Sequence, residues 1–485
     1  MHILFCTPVN IYSHLLETEL ELMQQHLDRG DNVHLLLCTG ELPVCEINTA
    51  HKKIQCLYCT HKHKRSLHLL KGNVTVHRLK DYWSDAGTEG LKTSFDNVDA
   101  LKKYWWDDHF DIGYGMGSYL ISEFRDPHLD IRPHQKTIEQ FMNMSLRLYL
   151  AVQRFLDAHP IQRVYVWNGR QPSMRPVIRA AKSRNVDFYT FNNAHTEKHL
   201  ETFKNALLHD LSYMSHKIAE YWKNSTEPEE VKIKKASAFY EKRTRNTQDA
   251  DEDNLYTQNR FAAGMQHGQL PENWDDSKTN IAIFNSSEDE MASISDEWIN
   301  PLYSGQLEGI SRLINSTDDA SEFANHHFYL RMHPNLSNVD NEDLRRIKAL
   351  TGKRFTLLLP ESPVSTYTLI HESAAVVSYG SSAGIEAVYR KKPSILLGKC
   401  FYRAFENTTY QPESHEDFVK LLLQKLPPLG CTGAYMYGYF WSTYGTLMKY
   451  VTRENGQWLF RGKKTTSHPL LELMKKIKQK TKNKT

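Results

Sequence analysis

The stretch that leaves this chain least freedom is Val376-Val377-Ser378-Tyr379-Gly380-Ser381-Ser382-Ala383-Gly384-Ile385-Glu386-Ala387-Val388-Tyr389-Arg390-Lys391-Lys392-Pro393. An apolar run at 374–377 ends in a turn of small residues, and a helical pattern opens at Ser382. A second apolar run, 394–397, follows Pro393. Strand, loop, helix, strand in so short a space implies two parallel neighbours in one sheet. Backbone N–H groups and serine hydroxyls gather at the helix start, where unsatisfied donors favour an anion such as phosphate. Glu386 follows about one turn later near the same face, where a carboxylate can accept hydrogen bonds from a ribose. The same residues also read as an ordinary βαβ unit with a serine N-cap.

A second element lies upstream, at Tyr329-Leu330-Arg331-Met332-His333-Pro334-Asn335. There a strand ends in an Arg-x-His-Pro turn that sets a cation and an imidazole in a loop. A His-Pro turn followed some fifty residues later by a Ser-Ser turn resembles the donor half of GT-B glycosyltransferases. The likeness is to bacterial enzymes that use CMP-activated sugars, the capsule sialyl- and Kdo-transferases, and to the related polyol-phosphate polymerases. Phe284-Asn285-Ser286-Ser287-Glu288-Asp289-Glu290, Asn168-Gly169-Arg170, and Gly398 with Tyr402 are further matching pieces.

The resemblance implies an α/β chain of two Rossmann-like, doubly wound domains facing a cleft, closed by C-terminal crossover helices. Sugar transfer from a nucleotide must neutralise the departing phosphate and deprotonate the acceptor hydroxyl. For the first task the candidates are His333, Ser381 and Ser382, with Ser286 and Ser287 at a neighbouring helix start. Arg331 adds charge there or faces a carboxylate partner, and Glu386 holds the ribose. For the second task they are His14 and Asp111, both in loops of the first domain. Asn168 and Arg170 lie on the acceptor side, although a lone arginine at a strand end also reads as a surface ion pair. The resemblance implies inverting chemistry and a surface glycan or lipid-linked acceptor. Rival readings are a nucleotide-sugar epimerase of the same fold, a polyol-phosphate transferase, and a non-catalytic scaffold of a polysaccharide assembly complex.

At 485 residues the chain exceeds the ~250–300 that one core serves, which predicts two domains. A net charge of +3 is too small to argue for nucleic acid. No apolar run reaches the ~20 residues of a membrane span, and the N-terminal residues lack the basic and apolar regions of a signal peptide. These features predict a cytoplasmic protein. The tail at 463–485 sets Leu470, Leu471, Leu473, Met474 and Ile477 beside six lysines, from Lys475 to Lys484. Such an end reads either as a contact with the inner face of an anionic membrane or as a frayed terminus.

Four of seven cysteines fall close together, at Cys38, Cys45, Cys56 and Cys59. Cys-x2-Cys lets two thiolates share one metal, and two more from a nearby loop complete a tetrahedron. The spacing predicts a structural zinc clip with no open position for catalysis. His61, His63 and His68 offer substitutes for one thiolate, and the alternative is scattered thiols.

The expected divisions are a first domain at 1–222, a polar helical connection at 223–280, and a donor domain at 281–431. Crossover helices at 432–462 and the basic tail at 463–485 follow. Strands are expected at 3–6, 33–37, 163–167 and 188–191 in the first domain, and at 281–284, 328–331, 355–359 and 374–377 in the second. The Gly113-x-Gly115-x-Gly117 run invites a nucleotide-loop reading, but no clear strand precedes it. It reads as a loop that turns Asp111 to the acceptor, or as a plain turn leading into a helix.

Overall fold

The structure, a computed structural model, describes residues 1–9, 13–244, 268–292, 294–454 and 456–465. Along the chain come β1 (His2–Phe5), α1 (Ser13–Asp28), β2 (Asn32–Leu37), α2 (Lys53–Leu67), β3 (Val74–Arg78), α3 (Val98–Lys102), α4 (Ile112–Phe124), α5 (Gln135–Ala158), β4 (Arg163–Trp167), α6 (Arg175–Ser183), β5 (Asp187–Asn193) and β6 (His199–Lys204). Next are α7 (Leu211–Asn224), α8 (Glu229–Thr244), β7 (Thr279–Phe284), α9 (Gln306–Thr317), β8 (His326–Arg331), α10 (Glu342–Lys348), β9 (Phe355–Leu358), α11 (Thr366–Glu372), β10 (Ala375–Ser378), α12 (Ala383–Tyr389), β11 (Ser394–Leu396), α13 (His415–Leu422) and α14 (Thr432–Thr443). Four short strands close the described chain: β12 (Thr446–Leu447), β13 (Val451–Glu454), β14 (Gln457–Phe460) and β15 (Lys463–Lys464).

These elements form two α/β units. One holds Met1–Tyr119, His128–Leu208 and Gly445–Thr485; the other holds Leu120–Pro127 and His209–Tyr444. In the first unit the strand order is β12-β6-β5-β4-β1-β2-β3, parallel from β5 to β3 and antiparallel where β6 and β12 are added. The five parallel strands have the doubly wound order, with β1 and β4 paired at the point where the winding reverses. The second unit repeats the plan as β11-β10-β7-β8-β9, parallel throughout, with its reversal between β7 and β10.

Burial on both faces explains why these strands read as unbroken apolar runs. On β7, Ile281 and Ile283 enter one core with Phe328, Leu330, Val377 and Ile395. The alternate residues Ala282 and Phe284 enter another with Tyr329, Val376 and Ala387. The βαβ tract is thus β10, α12 and β11, in parallel register from Val376 opposite Ser394.

Two expectations are revised. Crossover helices expected over 432–462 end at Thr443, and the described residues after it form the short strands β12, β13 and β14 with turns between them. The Asn455-Gly456 dipeptide is a strong hairpin signal in the sequence, and β13 pairs antiparallel with β14, Glu454 opposite Gln457. Aromatic richness had masked that alternation. The boundaries also shift, because α7 and α8 count with the second unit while β12 to β15 count with the first. From residue 466 on, the basic tail lies outside the described residues.

The glycine run lies within α4. A Cβ on Gly113 would stand 1.8 Å from the Leu101 carbonyl oxygen, so these glycines serve close packing.

Candidate functional site

Strands β10, β7 and β8 are parallel neighbours, so their carboxyl ends open on one edge of the second sheet. Their loops carry Tyr379 to Ser382, Asn285 to Ser287, and His333 with Pro334. In doubly wound sheets this edge, beside the reversal point, is where ligands bind.

The loops are tied to one another. The His333 N–H donates to Asn285 Oδ1 at 2.7 Å, and Ser286 Oγ donates to the Tyr379 carbonyl at 3.0 Å. Gln306 Nε2 donates to the same Ser286 Oγ at 2.8 Å. Gly380 adopts φ +93°, and a Cβ there would meet the Lys399 carbonyl oxygen at 2.5 Å, so the turn before the serines requires glycine. Gly398 and Tyr402 support the same turn: a Cβ at Gly398 would sit 2.5 Å from the Tyr379 carbonyl carbon, and the Tyr402 hydroxyl donates to the Ser381 carbonyl at 2.5 Å.

The His333 ring is half-buried. Its Nδ1 accepts the Asn335 N–H at 3.2 Å, which places the proton of the neutral ring on Nε2. Burial lowers its pKa to about 4; Asp289 opposes the shift, while Arg125, Arg331 and Arg243 reinforce it. At neutral pH His333 is therefore an uncharged donor in a neighbourhood of cations.

Two of those arginines are absent from the sequence reading. Arg125 straps the loops together: Nε donates to Asp289 Oδ2 at 2.8 Å, Nη2 to Ser287 Oγ at 2.9 Å, and Nη1 to the Asn335 carbonyl at 2.8 Å. Ser287 Oγ itself donates to Asp289 at 2.5 Å, so its hydroxyl is turned to this strap. Arg243, near the end of α8, pairs with Glu386 at 3.0 Å and lies 3.4 Å from Ser382 Oγ. Nothing local in sequence marks either residue, since both reach the edge from segments distant in the chain.

Glu386 and Arg331 take positions other than those expected. Glu386 is 3 % exposed, and its carboxylate accepts from Ser382 Oγ at 3.0 Å while pairing with Arg243. It faces inward because Ala383 to Val388 are all buried in α12, and it holds Arg243 beside the serine turn. Arg331 is 1 % exposed. Its guanidinium donates to the carbonyls of Leu359, Pro360 and Ser362, and burial lowers its pKa to about 10. It organises the loop after β9 and adds only long-range charge. Helix α12 has seven residues, so its dipole is short and the hydroxyls and imidazole dominate the chemistry.

In the first unit, Asp111 is not disposed as a base. Arg175 reaches it with Nε at 2.9 Å and Nη2 at 2.5 Å, and Arg179 with Nε at 2.7 Å and Nη2 at 2.5 Å. Burial alone would raise its pKa, but the two guanidiniums outweigh burial and hold it well below the usual carboxylate range. Asp111 anchors α6 to the start of α4. His14 stands in the first turn of α1, half-buried, with its pKa lowered chiefly by burial. Asn168 takes φ 58° and Gly169 φ 83°, which turns the chain sharply after β4. Arg170 follows, its N–H 3.4 Å from Asn168 Oδ1, so Asn168 and Arg170 sit at the reversal edge of the first sheet. The sequence reading missed Glu46, in the loop after β2 at this same edge. It accepts the Ser173 N–H and Oγ–H at 2.8 and 2.7 Å, and burial raises its pKa.

Cys38, Cys45, Cys56 and Cys59 line one cavity of about 20 Å³, room for little more than a water or an ion. The donors would suit zinc, but their arrangement does not. Cys56 and Cys59 lie within α2 instead of on a knuckle turn, and Asn48 Nδ2 donates to Cys56 Sγ at 3.3 Å. Among the described residues no three His, Cys, Asp or Glu side chains are grouped to hold a metal ion. Burial raises the pKa of Cys45 to about 12, as expected of a neutral thiol. No helix among the described residues is long and apolar enough to cross a membrane.

No family model matches the chain, and no curated protein matches its sequence. Among solved structures it is similar to a Thermosulfurimonas dismutans KpsC described as a beta Kdo 2,4 transferase. That match has 11 % identity and a TM-score of 0.37, covering 58 % of this chain and 79 % of the other. It is also similar to UDP-GlcNAc 2-epimerase of Methanocaldococcus jannaschii (10 % identity, TM-score 0.25, covering 90 % and 98 %). The glycosyltransferase SnogD of Streptomyces nogalater is comparable (12 % identity, TM-score 0.25, covering 91 % and 95 %). Likenesses this loose have no bearing on chemistry.

Proposed function

We propose that this chain is a glycosyltransferase of GT-B type that moves a sugar from a nucleotide-activated donor, with a CMP-sugar favoured, to a surface polysaccharide or lipid-linked acceptor. The observation that carries the reading is the edge of the second sheet. There a neutral His333 and the Ser381–Ser382 turn stand among Arg125, Arg243 and the more distant Arg331. Preorganised donors in a cationic setting stabilise charge that builds on a leaving phosphate. His333 donates through Nε2, the serine hydroxyls add donors, and Arg243 is held close by Glu386. For the acceptor, His14 stays a base candidate and Glu46 replaces Asp111, both at the carboxyl edge of the first sheet. An epimerase needs a carboxylate ready to exchange protons beside the sugar, whereas Asp289 and Glu386 are each committed to an arginine.

The test is hydrolysis of CMP-sugars, which needs no acceptor, together with melting curves in CMP, CDP, UDP and GDP. CMP is expected to raise the melting temperature most. His333→Ala should lose about 10²–10³ in turnover at a near-normal melting temperature. Glu386→Ala should weaken nucleotide binding by releasing Arg243. Parental turnover in His333→Ala overturns the donor-site reading, and no response to any nucleotide favours the scaffold.

A further inference from the structure

Apart from the lysine-rich tail, positive charge in this chain is concentrated in one segment. Residues 47–80 hold eight of the 60 lysines and arginines and none of the 57 aspartates and glutamates, so the remainder carries 52 against 57. All of α2 lies in this segment, and Lys52, Lys53, Lys64, Arg65 and Lys71 are all exposed. Among the described residues, Lys52, Lys53, Lys64 and Lys71 form no ion pair. Between these cations stand Ile54, 63 % exposed, and Leu57, 66 % exposed, the two most exposed large apolar side chains described. They are three residues apart on a helix and therefore share a face. The opposite face is fixed in the unit, with Lys62, His63 and Ser66 buried.

A solvated helix gains nothing by holding isoleucine and leucine outward. A nucleic-acid surface would use the cations but not the aliphatic pair. An anionic bilayer uses both, with phosphates meeting the lysines and the apolar pair entering the headgroup–acyl boundary. We propose that α2 is a membrane-surface anchor that seats the first unit on an anionic lipid bilayer, with Ile54 and Leu57 inserted and Lys52, Lys53, Lys64 and Lys71 around them. It stands independently of the nucleotide site in the second unit.

The experiment is flotation of the full chain with phosphatidylcholine vesicles, with and without about one third phosphatidylglycerol. Binding is expected only to the anionic vesicles, weakening as salt rises. Each basic residue near such a surface is worth about a fivefold change in partition, so Lys53→Glu with Lys64→Glu should lose at least about 25-fold. Ile54→Ser with Leu57→Ser should lose about tenfold or more. Both variants alter exposed side chains and should keep the parental melting temperature, which separates lost docking from lost folding. Absence of anionic-vesicle binding overturns the proposal. So does binding that survives both variants but disappears when residues 466–485 are removed. A parent that is dimeric and an Ile54→Ser, Leu57→Ser variant that is monomeric with unchanged vesicle binding would assign the face to a second copy of the chain instead.

Discussion

Asp111 separates a structural role from a catalytic one, because the two predict opposite results for a single substitution. The carboxylate is 3 % exposed and receives four N–H donors, two from each of Arg175 and Arg179. Asp111→Asn keeps the shape but removes the charge and turns an amide N–H₂ toward a guanidinium. Arg175, 2 % exposed, is then left buried without its counter-charge. Breaking a buried pair on one side costs about 3–5 kcal/mol. At about 2–4 °C per kcal/mol for a unit of this size, the melting temperature should fall by about 6–20 °C. Arg179→Ala should cost less, because Arg179 is partly exposed and Arg175 still satisfies the carboxylate. The sign with pH follows from the depressed pKa. Asp111's stabilisation is complete above the unfolded aspartate value of about 4 and is lost only as pH falls below it. Between pH 5 and 8 the difference between parent and variant should therefore be constant. Thermal melts and denaturant titrations read the stability, and CMP-sugar hydrolysis at a temperature where the variant is folded reads the chemistry. Turnover within a few-fold of parent is expected there. A variant that melts normally but loses orders of magnitude in turnover would refute the anchor and restore Asp111 as the base.

Two further outcomes are expected. On the first sheet His2 Nδ1 lies 3.0 Å from His34 Nε2, and His34 Nδ1 lies 3.1 Å from His77 Nε2, with the His159 ring tilted against His77 at 4.7 Å between centroids. Burial, then its histidine neighbours, lowers the pKa of His34 to about 4, so the unfolded chain binds more protons below about pH 6.5 and stability falls from there toward pH 4. Because the outer rings are only half-buried, about 1–2 kcal/mol is expected from this ladder; melts of parent and His34→Asn across pH 7 to 4.5 should differ in slope, and equal slopes would refute it. Metal analysis of protein purified without chelators or added zinc should find well under one equivalent, with all four clustered cysteines alkylated after denaturation; one tightly held zinc, lost in Cys56→Ser with Cys59→Ser, would restore the clip.

What could be read from the sequence was what repeats with a short period. Strands buried on both faces show as apolar runs, and Gly-Ser-Ser after one of them marks a turn that only glycine can make; β10, α12 and β11 were legible for that reason. His333 was legible too, because Pro334 ends the strand beside it. Whatever depends on distant partners was not. Glu386 lies one turn into a helix in either reading, and only the approach of Arg243, more than 140 residues earlier, decides that it faces inward. The same holds for Asp111, whose spacing from Arg175 and Arg179 has no period. Cys-x2-Cys was ambiguous in another way, since the spacing suits a knuckle and a helix alike and α2 continues through it.

The arrangement around His333 also explains why its low proton affinity suits the site. A charged imidazolium beside Arg125 and Arg243 would have to be formed against their repulsion and against burial, so cations and histidine would compete for one anion's worth of compensation. Kept neutral, the ring adds a directed hydrogen bond without adding charge, and the arginines supply the field. Such a division favours an anion whose charge grows during reaction, because the field acts on all of it while the hydrogen bond shortens toward one oxygen. It also predicts where pH should matter. In the free protein His333 takes up a proton only as pH falls to about 4; an anion that offsets the arginines must raise that pKa, so a phosphate-bearing ligand must itself bind more tightly as pH falls. Nucleotide titrations at pH 8, 6.5 and 5 read this directly: affinity that tightens toward pH 5 in the parent and not in His333→Ala supports the assignment, and identical pH profiles in the two proteins would remove His333 from the phosphate site.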